Sequence, residues 1–451
     1  MTRALLALVL AGCAPTLVWH GRGPERRHEL RVEEDGEGQR VLLDGEALAR
    51  GEAVGLAALG WTDAGDPVYA LRREGRWHVG VGAALGPGHE AVGAPVIAGR
   101  RVVYPALDGD VWRVIDGGEA GPPFASLLAG AITLAPEGRR LAYVGRDRAG
   151  AHAVVDGRVG PAWDDVLGLR FGAKGALVVH AGFDERGAAL IVEGEVALRV
   201  DDVRELSVAD DAPAWAAIVD TPDGRQVVRG VERRIVARHP VERADGLALA
   251  PDGGAVGWRD EAGVWVDGAR VSPCARADGL ALPGGRPVFR CHAEGGVRVH
   301  APGPGPRFDA VDGPFIAGRR FAYVGHRRGA GSAVVIDGAL AFRGEWAGAL
   351  QLTPTGHAFL VRRGGRRFVV TDAGEAEVPR PFVDTLVYEG GRWAVAVADR
   401  EARALRVLVD GEEVAELDPS ELASALARGV EPTEAARAVV EGELRARRPN
   451  R

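Results

Sequence analysis

The sequence predicts an all-β fold, a β-propeller of about ten four-stranded units of roughly 37 residues, arranged as one large ring or two tandem rings and followed by a short C-terminal helical segment. Three observations carry this expectation. Glycine supplies 65 of 451 residues, about twice the usual share of roughly 7%. Without collagen periodicity, that excess demands many tight turns and therefore many short strands. β-rich runs repeatedly end in Asp-Gly, as in VLLDGEAL at Asp44, RVIDGGEA at Asp116, VVDGRVG at Asp156, VWVDGARV at Asp267, VVIDGALAF at Asp337 and VLVDGEEV at Asp410. Finally, GRRLAYVGRDRAGAHAVVDG at residues 138–157 returns almost unchanged as GRRFAYVGHRRGAGSAVVIDG at residues 318–338.

At the N-terminus, MTRALLALVLAGC places Arg3 before the apolar run from Ala4 to Leu10, followed by Ala11, Gly12 and Cys13. This resembles a bacterial lipoprotein signal over residues 1–12, in which small residues let a peptidase cut before a cysteine that becomes diacylated. The resemblance implies lipidation of Cys13 and a protein held at a membrane of the bacterial cell envelope. Ala14, where aspartate would favour the inner membrane, implies the outer one in a cell with two membranes. The apolar run is too short for a hydrocarbon core of about 30 Å, which takes about 20 apolar residues to span. Residues 13–27 read as the lipidated cysteine and a tether, because APTLVWHGRGPERR mixes Pro, Gly and Arg.

The repeats occupy residues 28–417. An Asp-Gly pair between apolar runs is a strong hairpin signal, because both central positions of a type I′ turn need positive φ. With weaker copies included, the turn glycines fall at 45, 82, 117, 157, 194, 230, 268, 303, 338, 374 and 411, ten intervals of 35 to 40 residues. A second hairpin lies inside each interval, clearest in ITLAPEGRRLAYVG from Ile132, LALAPDGGAVGWRD from Leu247 and LQLTPTGHAFLVRR from Leu350. Each unit thus reads as strand, Pro-x-Gly turn, strand, variable loop, strand, Asp-Gly turn, strand. These residues resemble the WD40-like repeat of the TolB type, whose turn is matched by Pro251, Asp252 and Gly253 and more loosely by Pro136, Glu137 and Gly138. The resemblance implies the propeller fold and no particular function.

Past residue 417 the pattern changes. DPSELASALARGV offers Asp418 as an N-cap, Pro419 at the first helical position and Glu421 to complete a capping box. EPTEAARAVVEGELRAR begins similarly at Pro432, so residues 418–451 read as two short helices.

The candidate chemistry is sparse. The net charge of −7 is small and its signs are interleaved, so no basic stripe marks a nucleic-acid partner. Cys274 and Cys291 remain after Cys13 and form a disulfide candidate in an exported chain. With Gly284 and Gly285 as the turn, Cys291 is expected opposite about Asp278. HEAVG at His89 begins like a zinc-protease motif but has Gly93 where a second histidine is needed. His292 and His300 flank a turn, and Ser332 in GAGSAVV lacks the G-x-S-x-G elbow. The acid pairs Asp164–Asp165, Asp201–Asp202 and Asp210–Asp211 read as solvated loop residues, with calcium binding or glycosidase chemistry as the alternative. Trp215, Trp258, Trp265, Trp346 and Trp393 read as packing residues, with a sugar or peptide platform as the alternative. No metal, cofactor or catalytic constellation is expected. The leading function is a non-catalytic envelope scaffold for a protein, peptide or glycan; the alternative is a glycan-active enzyme with acids at the propeller channel. Arg139, Arg140 and Tyr143 recur in both copies of the duplicated phrase and are poor active-site candidates. Specificity is expected where the copies differ, in RDRAGAH and HRRGAGS.

Overall fold

The computed structural model describes residues 16–22, 28–128, 130, 132–301, 303–378, 385–399, 404–417, 440, 441 and 444. The signal segment 1–12, Cys13 and most of the C-terminal segment 418–451 lie outside the described residues. Among those described, the chain forms eleven antiparallel sheets, each a meander whose consecutive strands pair. In chain order they span residues 16–51, 53–85, 91–120, 126–159, 165–200, 202–240, 245–272, 277–308, 310–344, 346–378 and 387–417, and are numbered sheets 1 to 11. Sheets 3 and 4 have their first strand split into two short pieces. Ten glycine intervals are bounded by eleven turn positions, which accounts for eleven sheets rather than ten. Two of the eleven glycines do not sit in their turns: Gly230 lies within the strand Gly224–Val231, with the next strand starting at Arg234, and Gly374 opens the strand Gly374–Val378, after a turn at Asp372 and Ala373.

The chain divides into two compact units, one ending at Gly121 with sheets 1–3 and one beginning at Pro122 with sheets 4–11. Thr16–Arg22, in the stretch expected to be a tether, is the first strand of sheet 1 and pairs with Glu29–Asp35. The run Leu-Val-Trp at residues 17–19 favours strand, and that local preference prevails over the Pro, Gly and Arg around it.

Five of the six Asp-Gly turns have the expected backbone; at the sixth, Asp116 is the last residue of its strand and the turn is Gly117–Gly118, with φ of 58° and 88°. Asp44, Asp156, Asp267, Asp337 and Asp410 adopt φ of 47° to 54°, and the glycines after them φ of 78° to 93°. Each aspartate also ties its turn to the start of the second strand. The Asp156 N–H donates to the Leu141 carbonyl at 2.8 Å, and the Leu141 N–H donates back to Asp156 Oδ1 at 2.9 Å. The same reciprocal pair joins Asp44 to Glu29, Asp267 to Val256, Asp337 to Phe321 and Asp410 to Trp393. In three copies the arginine just before the residue so held takes the other carboxylate oxygen: Arg140 at 2.8 Å, Arg320 at 2.8 Å and Arg392 at 2.6 Å. The duplicated phrase is therefore a structural device, in which its arginine and its aspartate bind one another.

Second strands are buried on both faces, as the runs in Leu141–Asp147, Leu177–Asp184 and Ala214–Thr221 show. Small and β-branched residues let the next sheet pack close, and within each unit consecutive sheets share an apolar layer. Leu177, Val179 and Leu190 of sheet 5 meet Trp215 and Val228 of sheet 6, and Ala322 and Val334 of sheet 9 meet Phe359 and Val361 of sheet 10. The outer face of sheet 11 receives Val440 and Leu444, both buried against Val387, Ala394 and Val407. Their spacing of four puts them on one helical face.

A second recurring device sits inside these layers. A ring from the segment entering a sheet lies on a glycine of the second strand, where a Cβ would come within 2.3 Å of Phe124 at Gly145 and 2.4 Å of Phe308 at Gly325. Two residues before that glycine stands a tyrosine that meets the ring edge-on, with Phe124–Tyr143 at 6.3 Å and Phe308–Tyr323 at 6.2 Å. His89 and Tyr104 repeat the pair in sheet 3 at 6.2 Å. Such edge-to-face pairs contribute about 0.5–1.5 kcal/mol beyond their burial.

Replacing Asp156 by Ala is expected to destabilise the protein by about 1–3 kcal/mol, the cost of leaving a buried N–H unpaired. Asp156→Asn, whose amide oxygen still accepts and which tolerates positive φ, should lose clearly less. Denaturant titration of the three proteins measures this, and equal losses would remove the carboxylate-to-amide tie as the cause.

Candidate functional site

The closest approach to a catalytic arrangement lies in sheet 9, at the hairpin HRRGAGS where the two copies of the phrase diverge. His326 and Ser332 are register partners across this hairpin, and His326 Nδ1 lies 2.9 Å from Ser332 Oγ. On its other side His326 Nε2 lies 2.9 Å from Asp312 Oδ2. The residues are those of a serine hydrolase, but their order in space is reversed. The carboxylate is the outer group, with 60% of its side chain exposed, whereas Ser332 is 4% exposed. A nucleophile must face its substrate; this hydroxyl faces the core, so the chain acts as a brace for the hairpin. Sequence spacing hid it, because Asp312 and His326 meet Ser332 only through antiparallel register.

The other candidates disperse. Arg146 holds Asp165 at 3.2 Å and also donates to the Asp164 carbonyl at 3.1 Å. Asp202 caps the Val203 N–H at 2.8 Å and pairs with Arg204 at 3.0 Å, while Asp211 pairs with Lys174 at 3.2 Å. His89 is buried with Nδ1 2.6 Å from Asp108, and His292 Nε2 lies 2.9 Å from Asp278, which also takes Arg290 at 2.6 Å. His300 stacks on Phe289 at 4.7 Å, and burial lowers its pKa. Among the described residues, no three His, Cys, Asp or Glu side chains gather as a metal would require.

The tryptophans are packing residues. Trp215 is fully buried and donates from Nε1 to the Glu232 carbonyl at 2.7 Å. Trp258 is buried and stacks at 6.3 Å on Trp265, Trp393 is buried, and Trp346 packs against the core that joins sheets 10 and 11. A binding platform needs an exposed ring face, which Trp215, Trp258 and Trp393 do not offer.

Cys274 and Cys291 are joined, with sulfurs 2.06 Å and Cα atoms 5.9 Å apart. Cys291 lies opposite Ala277, one residue from the position expected, because a bulge between Asp278 and Ala281 shifts the register. The bond occupies the place where other sheets set a ring on glycine. Cys274 stands three residues before the partner of Cys291, as Phe308 stands three before Val311, the partner of Gly325.

The hairpins between second and third strands, together with the links between sheets, also form a charged basin of about 400 Å³ over sheets 6 to 8. Arg225, Arg243 and Arg259 line it with Asp245, Asp260 and Glu261. The ion pairs Arg259–Asp245, at 2.6 Å, and Arg243–Glu261 hold its walls. The surface is more polar than apolar and carries charges of both signs.

No protein-family model matches the chain, and no curated protein does. Solved structures overlap with it at low identity. A eukaryotic initiation factor is 11% identical, covering 78% of this chain and 95% of its own, with a TM-score of 0.39. TolB from Acinetobacter baumannii is 12% identical over 64% of each chain at a TM-score of 0.23, and the Dos1 propeller is 8% identical over 54% of this chain and 76% of its own at 0.27. Overlaps of this size assign no function.

Two outcomes are expected. A fluorophosphonate probe should leave Ser332 unmodified; labelling that disappears in Ser332→Ala would reopen the hydrolase reading. Replacing both Cys274 and Cys291 with serine, which opens a link between residues 17 apart, should cost about 3 kcal/mol in denaturant titration. An unchanged midpoint would mean that the link does not constrain the unfolded chain.

Proposed function

We propose that the protein is a non-catalytic, lipid-anchored propeller of the bacterial cell envelope that binds a protein, peptide or glycan along its hairpin edge. The observation that carries this reading is the division of labour among polar residues. Those that recur from sheet to sheet, such as Arg140 and Asp156 or Arg320 and Asp337, are consumed in holding turns. Those that vary lie on the second-to-third-strand hairpins, where the charged basin over sheets 6 to 8 offers a polar surface on a rigid base. The membrane address rests on the sequence ending at Cys13. A glycan-active enzyme would need two carboxylates held at a set separation, and the dispersed, arginine-paired acids favour binding over hydrolysis.

Two measurements test the two halves of the proposal. Cys13→Ser should move the protein from the membrane fraction to the soluble fraction and abolish incorporation of labelled palmitate; unchanged retention would overturn the anchor. Photo-crosslinkers placed at Glu261 and Arg243 should capture envelope components in cells, whereas those at the turn residues Gly157 and Gly338 should not. Equal capture from both edges, or capture only from the turns, would overturn the hairpin edge as the binding surface.

A further inference from the structure

Sheet 5 breaks the ring pattern of its neighbours. Its entering ring is Trp163, which lies on Gly182, where a Cβ would fall within 2.4 Å of the indole. Two residues before that glycine, where sheets 4 and 9 carry Tyr143 and Tyr323, stands His180. The equivalence is fixed by register: His180 pairs with Ile191, two residues before Glu193, as Tyr143 pairs with Val154, two residues before Asp156. Sheets 6 and 7 also place large rings here, Trp215 and Trp258. Only in sheet 5 does an imidazole, shorter and more polar, take the place.

Beside it a cavity of about 530 Å³ opens between sheets 4 and 5, within the range of about 300–1,000 Å³ typical of small-molecule sites. Val155, Val159 and Ile191 give it apolar walls. Trp163 and His180 are 4% and 2% exposed, and neither Trp163 Nε1 nor His180 Nδ1 has a hydrogen-bond partner. An indole N–H can only donate. At the rim, Arg140 is bound by both Asp156 and Glu193, whereas Arg158 is exposed and has no ion pair among the described residues. The lining therefore combines apolar walls, one unused N–H donor and an arginine without an ion pair, Arg158, while the carboxylates of Asp156 and Glu193 share Arg140.

We propose that this cavity is a binding site for a small amphiphilic monoanion, an aryl or short-chain carboxylate, whose apolar body lies between sheets 4 and 5 and whose acceptor oxygens meet Trp163, His180 and Arg158. Burial lowers the His180 pKa to about 4, so the imidazole is neutral at pH 7 and the anion's charge is met at Arg158. The site is independent of the hairpin-edge scaffold, since it lies in the layer between two sheets and opens beside the turns.

The test uses the full chain with phenylacetate, its neutral isostere phenylacetamide and the cation phenethylamine, measured by titration calorimetry and ligand-observed NMR. Phenylacetate should bind one to one, and phenylacetamide and phenethylamine much more weakly. His180→Tyr restores the ring found in sheets 4 and 9, so it should preserve the melting temperature while abolishing binding. Ala153→Leu fills the cavity from the opposite wall and should do the same, which keeps the test decisive if one variant fails to fold. Trp163→Phe should weaken binding by about tenfold, the loss of one hydrogen bond. Arg158→Ala should weaken phenylacetate and leave phenylacetamide unchanged. Failure of phenylacetate to bind, equal binding of the three probes, or undiminished binding to both folded filling variants would overturn the proposal.

Discussion

The pairing of a turn aspartate with the N–H that opens the second strand is the constraint on which the other features depend. At Asp156 the backbone gives one hydrogen bond to Leu141 and the side chain takes one back, so the turn between the outer strands is fastened to the strand at the heart of the sheet. Register is thereby set from the inside outward. A slip of one residue would turn every side chain to the opposite face, and second strands buried on both faces leave no harmless direction for such a slip. Aspartate suits the position twice, because it accepts positive φ and its short carboxylate reaches back to the strand.

Once register is fixed, the layer between two sheets becomes a place for one large ring. The second-strand glycine makes room, the ring from the entering segment fills it, and a tyrosine closes the contact. The disulfide is a covalent version of the same joint: Cys274 and Cys291 occupy the positions of Phe308 and Gly325. Two small residues bonded together thus stand where a large one lies on the smallest. At the end of the stack, sheet 11 has no following sheet among the described residues, and Val440 and Leu444 supply the apolar cover.

Much of this was legible in the sequence because the turns punctuate it. Asp-Gly positions gave the strand order, and the type I′ expectation matched the φ values found at Asp44, Asp156, Asp267, Asp337 and Asp410. What escaped notice depended on register rather than spacing. The bulge after Asp278 moved the partner of Cys291 to Ala277, and pairing across the HRRGAGS hairpin brought His326 to Ser332. Thr16–Arg22 was obscured by its composition, since a strand of this length competes with the turn residues that flank it. The role of His180 could have been read by aligning VVHAG at residues 178–182 with AYVG at 142–145 and 322–325, but only the layer between the sheets gives the difference a meaning.

In a repeated fold, recurrence and function therefore separate. A polar residue that returns from copy to copy, such as Arg140 or Arg320, is bound to the aspartate of its own turn. A departure from the repeat can either be closed again or be left open. At Ser332 it is closed, since His326 and Asp312 satisfy each other and the hydroxyl between hairpin and core. At His180 it is left open: the missing phenol is replaced by nothing in the chain, and Trp163 and His180, which line the space, each bury a ring nitrogen without a partner. Burying such groups unpaired costs roughly 1–3 kcal/mol each, a cost that Tyr143 Oη in sheet 4 and Trp258 Nε1 in sheet 7 also carry. What sets sheet 5 apart is the cavity that opens beside its shorter ring, and that space, rather than the unpaired nitrogens, is the reason to expect a ligand there.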